Sequence, residues 1–93
     1  MKTVHLMYAG KVSEITGKLK EDIKIDDECT VYDLLKKLTM RYTPGFKKEV
    51  FDPEKAETMP DVIILINGSI VRDFNKKLND GDFVSILQAV SGG

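Results

Sequence analysis

Five consecutive apolar residues, Val62-Ile63-Ile64-Leu65-Ile66, set the architecture of this 93-residue chain, and four of the five are β-branched. The run is too short for a free-standing helix, whereas β-branched side chains pack well on a pleated surface, so it predicts a strand. Because no polar residue alternates through it, the strand is expected to be covered on both faces. Asn67-Gly68 then supplies its turn. The length leaves room for one small core, and the expected organisation is a single domain over residues 1–93.

The other elements are read outward from that strand. Thr3 to Tyr8 alternates Val4, Leu6 and Tyr8 against Thr3, His5 and Met7, the period of a strand with one face on a core. Ala9-Gly10 breaks it, Val12 and Ile15 suit a short helical turn, and Gly17 leads to a second alternating stretch through Ile23 and Ile25, giving a hairpin. Thr30 is expected to cap a helix, with Asp33 in the reciprocal position of a shortened capping box. Val31, Leu34, Leu35, Leu38 and Tyr42 fall at spacings of three and four and form its apolar stripe, with Lys36, Lys37 and Arg41 near solvent. Thr43-Pro44-Gly45 ends that helix. From Pro44 to Pro60 the chain reads as a polar connection anchored by Phe46, Val50 and Phe51. After Ile70-Val71, the turn sequence Asn79-Asp80-Gly81-Asp82 introduces a final strand from Phe83 to Leu87.

This order predicts an α+β fold in which a mixed sheet of four to five strands packs on one main helix, the β-grasp or ubiquitin-like arrangement. In it the first and last strands lie side by side and parallel. Val4, Leu6, Val84 and Ile86 then sit under the helix, and Met7, Phe83 and Leu87 face outward beside His5, with Ile63 or Leu65 adjacent. Large apolar side chains on an outer face suit a protein partner.

Composition narrows the function classes. With 42% hydrophobic and 31% charged residues and a formal net charge of −1, the chain carries no basic block for nucleic acid or a polybasic membrane anchor. No signal-like or membrane-spanning apolar run is present, and the expected location is the cytoplasm. Cys29, the only cysteine, is read as structural and His5, the only histidine, as a surface or interface residue. The scattered methionines are read as packing residues, with Met40 beside the helix stripe. Lys36-Lys37, Lys47-Lys48 and Lys76-Lys77 are read as solvated surface charge, and Arg72 and Asp73 equally as solubility and edge protection or as contacts to a partner enzyme. With no phosphate-cradling glycine loop and no metal-ligand cluster, the chain is expected to bind no cofactor or metal and not to be a catalyst on its own.

The phrase Ile66-Asn67-Gly68 before a short strand, the stretch Leu78-Asn79-Asp80-Gly81-Asp82-Phe83-Val84 and the Gly92-Gly93 ending together resemble the MoaD/ThiS sulfur-carrier family over the whole chain. Tyr8-Ala9 with Val12 to Gly17, and the long connection after the helix, are most similar to the MoaD branch. The resemblance implies a co-substrate whose Gly93 carboxylate is adenylated by an ATP-using MoeB/ThiF-type enzyme and then converted to a thiocarboxylate. In the MoaD branch the loaded tail enters the large subunit of molybdopterin synthase and delivers sulfur to a pterin precursor. Conjugation to lysines as a ubiquitin-like modifier, or sulfur delivery to thiamine thiazole or tRNA, uses the same ending, and small archaeal modifier proteins resemble this chain too.

Glycine fits such a tail because without a Cβ its backbone passes a narrow channel and leaves the carbonyl open to attack. Gly93 is expected to carry the group and Gly92 to permit access. Residues 88–93, Gln88, Ala89, Val90, Ser91, Gly92 and Gly93, are expected to form a flexible tail. Gln88 through Ser91, together with Met7, Phe83 and Leu87, are the expected partner contacts. The tail lacks the proline pair that many MoaD-type tails carry, so more entropy is lost when it threads into a partner.

Overall fold

Thr30 caps the main helix in the way its sequence setting predicts. Its hydroxyl accepts from the Asp33 N–H at 3.1 Å, and the Asp33 carboxylate accepts from the Thr30 N–H at 3.1 Å. The helix that follows, here numbered α2, spans Val31–Arg41 and closes with the Tyr42 N–H donating to the Leu38 carbonyl. This is a computed structural model, and it describes residues 1–89.

Strands β1 (Lys2–Ala9), β2 (Lys20–Ile25), β5 (Val62–Ile66), β6 (Ser69–Ile70) and β7 (Phe83–Gln88) form one sheet in the order β2-β1-β7-β5-β6. β1 and β7 pair in parallel at its centre, with Leu6 opposite Val84 and Tyr8 opposite Ile86, and the remaining pairs are antiparallel. A short helix α1 (Lys11–Thr16) joins β1 to β2. Asn67 and Gly68 both take positive φ, 50° and 85°, between strands registered Ile66 to Ser69, the geometry of a two-residue hairpin turn. The result is an α+β layer with a mixed sheet, the β-grasp fold.

The core is where the two periodicities meet. Val4, Leu6, Tyr8, Ile23, Ile25, Val62, Ile64, Ile66, Val84 and Ile86 point to one side of the sheet and are buried with Val31, Leu34, Leu35 and Leu38 of α2. The segment 44–60 is more ordered than a polar connection. It forms a helix α3 (Gly45–Glu49) and a small hairpin of β3 (Phe51–Asp52) with β4 (Glu57–Thr58). Its apolar anchors are the reason: Phe46, Val50 and Phe51 are fully buried, and Phe51 packs edge-on against Tyr32 and Phe74 at 5.8 and 5.9 Å between ring centroids.

Two expectations need correction here. Among the described residues the run Val62–Ile66 is covered on one face only, because Ile63 and Leu65 are half-buried on the side away from α2. Met40 is not packed: it is 71% exposed. Its position falls one residue outside the buried arc that Leu35, Leu38 and Thr39 define.

Glu21 ties the sheet to the helix end. Its side chain is 11% exposed and accepts hydrogen bonds from the hydroxyls of Tyr8 at 2.6 Å and Tyr42 at 2.5 Å, with Arg41 and Lys18 at 3.3 and 3.5 Å. Burial works against the carboxylate, but the two hydroxyls and Lys18 outweigh it, and the group lies below the usual glutamate range. Burial and the same bond push the Tyr8 hydroxyl far above the usual tyrosine range. Cys29 packs half-buried against the core, its thiol donates to the Thr30 carbonyl, and burial raises its pKa, consistent with a structural rather than reactive role.

Candidate functional site: the outer sheet face and the exit of β7

The face of the sheet turned away from α2 is laid out in rows fixed by strand register. Asp22, His5 and Phe83 form one row across β2, β1 and β7. Lys20, Met7, Ser85, Leu65 and Ile70 form the next, and Ala9, Leu87 and Ile63 the third. Met7 is 53% exposed, Phe83 60% and Ile70 54%, while Leu87, Leu65 and Ile63 are half-covered. Met7, Phe83 and Leu87 therefore share one outward face, as their parity predicts. Ile63 and Leu65 join them. Ile70 belongs to the same field but was not singled out from the sequence, where the two-residue strand β6 gives too short a pattern to set parity.

Phe83 is held by a clasp between the two turn motifs. Asn67 exchanges with Phe83 twice, its N–H donating to the Phe83 carbonyl at 2.8 Å and its Oδ1 accepting from the Phe83 N–H at 3.0 Å. The buried Asp82 carboxylate accepts from Asn67 Nδ2 at 2.9 Å and from the Asn79 N–H at 2.8 Å. β1 closes the clasp, with the His5 N–H donating to the Asp82 carbonyl and the Gly81 N–H to the Thr3 carbonyl. Gly81, at φ 85°, makes the tight turn this requires. Asn67-Gly68 and Asn79-Asp80-Gly81-Asp82, common turns when taken singly, are thus two halves of one hydrogen-bonded unit.

At the other end of β7 the chain leaves the sheet. Gln88 is the last residue of that strand rather than the first of a tail, and its Nε2 donates to Asp61 Oδ2 at 2.8 Å. Ala89 is tethered as well, its N–H donating to the Asp61 carbonyl at 2.8 Å. Asp61 was not identified from the sequence, since its role depends on a pairing 27 residues away. Gly10 packs against the same point: at φ 67°, a Cβ there would lie 3.2 Å from the Gln88 carbonyl oxygen. The expected contacts Val90 and Ser91 and the expected reactive pair Gly92 and Gly93 lie outside the described residues.

The remaining candidates stay on the surface. His5 Nδ1 lies 2.7 Å from Asp22 Oδ1, and its ring centroid is 4.9 Å from that of Phe83. Lys77 pairs with Glu28, and Lys47 with Glu54 at 3.1 Å, so these lysines are engaged within the chain. Among the described residues, no group of three or more His, Cys, Asp or Glu side chains is placed to hold a metal ion, and no helix is long and apolar enough to cross a membrane.

Comparison with known proteins agrees with this geometry. The ThiS family model matches residues 6–93. Small archaeal modifier protein 3 of Haloferax volcanii is 31% identical over 93 aligned residues, covering 97% of this chain and 98% of that protein. The molybdopterin synthase sulfur carrier subunit of Dictyostelium discoideum is 33% identical over 92, covering 95% of this chain and 92% of that protein. Among solved structures, small archaeal modifier protein 1 of Methanosarcina acetivorans superposes with a TM-score of 0.78 at 31% identity, covering 100% of this chain and 98% of that one. The clasp that orients Phe83 and the strand that leads into Gly92-Gly93 are therefore features of a chain that belongs to the ThiS family of ubiquitin-like, β-grasp sulfur carriers and modifiers.

Proposed function

We propose that this chain is a sulfur carrier whose C-terminal glycine is loaded and unloaded by other proteins, and that its acceptor lies in molybdopterin biosynthesis. The observation that carries this reading is the double use of β7. One strand presents Phe83 and Leu87 on the outer face and, past a tethered Ala89, delivers the chain to Gly92-Gly93. The four residues after Ala89 span at most roughly 14 Å when extended, so the reacting carbonyl stays close to the docking face. Docking through that face makes the transfer effectively intramolecular, which removes a sizeable part of its barrier.

The chemistry requires activation, because a free carboxylate is anionic at neutral pH and resists nucleophiles. A Gly93 carboxylate oxygen attacks the α-phosphorus of ATP on a MoeB/ThiF-type enzyme, and pyrophosphate leaves. A sulfide-equivalent donor then attacks the acyl carbon and AMP leaves, so one oxygen is exchanged for sulfur. In the molybdopterin reading, the thiocarboxylate is delivered within the large synthase subunit and returns as carboxylate. The chain supplies the docking face and the acyl group, and its partners supply the ATP site and the catalytic groups. Similarity to a sulfur carrier subunit of molybdopterin synthase supports this acceptor.

The test is intact-mass spectrometry after incubation with the adenylating enzyme of the same organism, ATP and a sulfur donor. The expected product is heavier by the difference between sulfur and oxygen, localised to Gly93, and deletion of Gly92-Gly93 abolishes the gain. An unchanged mass in the full chain overturns the reading. The similarity to a small archaeal modifier protein favours a second use of the same activated carbonyl, attack by a lysine amine to form an isopeptide bond. Tail remnants on lysines of digested cell protein are its signature, and their absence with thiocarboxylate present leaves sulfur carriage alone.

A further inference from the structure

The row Asp22, His5, Phe83 combines a carboxylate, an imidazole and the most exposed aromatic ring of the outer face. A groove of ≈ 490 Å³ opens beside it, lined by His5, Met7, Lys20, Asp22, Phe83 and Ser85. An ionised carboxylate accepts hydrogen bonds and cannot donate them, so the 2.7 Å contact between His5 Nδ1 and Asp22 Oδ1 carries its proton on Nδ1. In a neutral imidazole the other nitrogen, Nε2, is then a lone-pair acceptor. It has no hydrogen-bond partner among the described residues, and the side chain is 37% exposed.

We propose that Asp22 is a positioning residue that fixes His5 as the Nδ1–H tautomer, so that the groove recognises the adenylating enzyme that loads this chain by two features together. The partner seats an apolar side chain against Phe83 and Met7, and it donates a hydrogen bond from an adjacent N–H or O–H group to His5 Nε2. The tilted ring contact with Phe83, 4.9 Å between centroids, restrains the imidazole and Asp22 sets its proton, so the acceptor has a preferred direction next to the apolar anchor. A purely apolar partner leaves Nε2 desolvated and unpaired, which costs affinity and rejects it. This inference rests on the outer face being the docking surface, and the experiment separates the two claims.

Binding to the adenylating enzyme of the same organism is measured by calorimetry near pH 8.5 for the full chain and for Phe83→Ala, His5→Phe, Asp22→Asn and the double variant His5→Phe/Asp22→Asn. His5→Phe keeps an aromatic ring against Phe83 and removes the acceptor. It is expected to weaken binding about three- to tenfold with an unchanged unfolding midpoint. Asp22→Asn is expected to weaken it less, and to have no further effect in the His5→Phe background. Long-range ¹H–¹⁵N NMR of the free chain is expected to show an unprotonated Nε2, and Asp22→Asn to mix the tautomers, a change that a merely structural role would not produce.

If Phe83→Ala weakens binding while His5→Phe and Asp22→Asn do not, the inference fails and the docking face stands. It fails equally if the free chain shows a protonated Nε2 as the dominant neutral form. If the unaltered chain does not bind, or Phe83→Ala binds as well as the unaltered chain, the docking reading itself is removed.

Discussion

The two faces of the sheet are built by the same strands and differ only in residue parity, yet they have become opposite kinds of surface. On the inner face Val84 and Ile86 are closed under α2. On the outer face, their chain neighbours Phe83 and Leu87 stand with Met7 and Ile70 in a field that the described residues leave half or more exposed except at the half-covered Leu87. An apolar field of this kind is costly to leave in water unless something else covers it. The contrast assigns stability to one face and, in the proposed reading, recognition to the other.

Substitutions on β7 give the sharpest way to break that division. Ile86→Ala removes a fully buried side chain from the centre of the sheet and is expected to cost about 2–5 kcal/mol of unfolding free energy, read from urea denaturation. Asp82→Ala comes next, because it strands the Asn67 amide and the Asn79 N–H at the seam between the faces. The expected loss is about 1–3 kcal/mol, with weaker protection of the Phe83 amide in hydrogen exchange. Phe83→Ser, three residues from Ile86 on the same strand, is expected to change stability by less than about 1 kcal/mol while weakening partner binding. A Phe83→Ser loss as large as that of Ile86→Ala would erase the distinction.

Charge offers the same comparison one strand away. Glu21 faces inward onto the hydroxyls of Tyr8 and Tyr42, and its chain neighbour Asp22 faces outward onto His5. Because the Glu21 carboxyl is depressed in the folded chain, its stabilising contribution is complete above the unfolded glutamate value, about 4.3, and is lost as pH falls through the lower folded value. Glu21→Gln is therefore expected to lower stability at neutral pH and to flatten the acid limb of the stability profile. Asp22→Asn is expected to leave the neutral-pH stability within a few tenths of a kcal/mol. Thermal unfolding from pH 7 down to pH 3 checks both.

What the sequence revealed, and what it hid, follows the range of the interactions. The alternation at Val4, Leu6 and Tyr8, the stripe from Val31 to Leu38 and the Thr30–Asp33 cap are local patterns, and each was legible. The α3, β3 and β4 segment shows in the sequence only as an anchored connection, because its conformation depends on Phe51 meeting Tyr32 and Phe74 from distant parts of the chain. The tether of Gln88 and Ala89 to Asp61 and the close approach of Gly10 are likewise long-range, so the local pattern places the start of the tail too early. The run Val62–Ile66 misled in a useful way. It has the composition of a strand covered twice, but the described residues supply only one cover. In the proposed reading the second cover is the partner.

The parallel pairing of β1 with β7 also orders events during synthesis. His5 and Phe83 sit side by side but come from opposite ends of the sequence, with every other element made between them. The first strand must wait for the last, because a ribosome emits the chain from its N-terminus and distant contacts close late. A half-made chain has neither the row that carries His5 nor the clasp that orients Phe83. Any protein that grips this face is thereby prevented from engaging the chain before its final strand has been laid in.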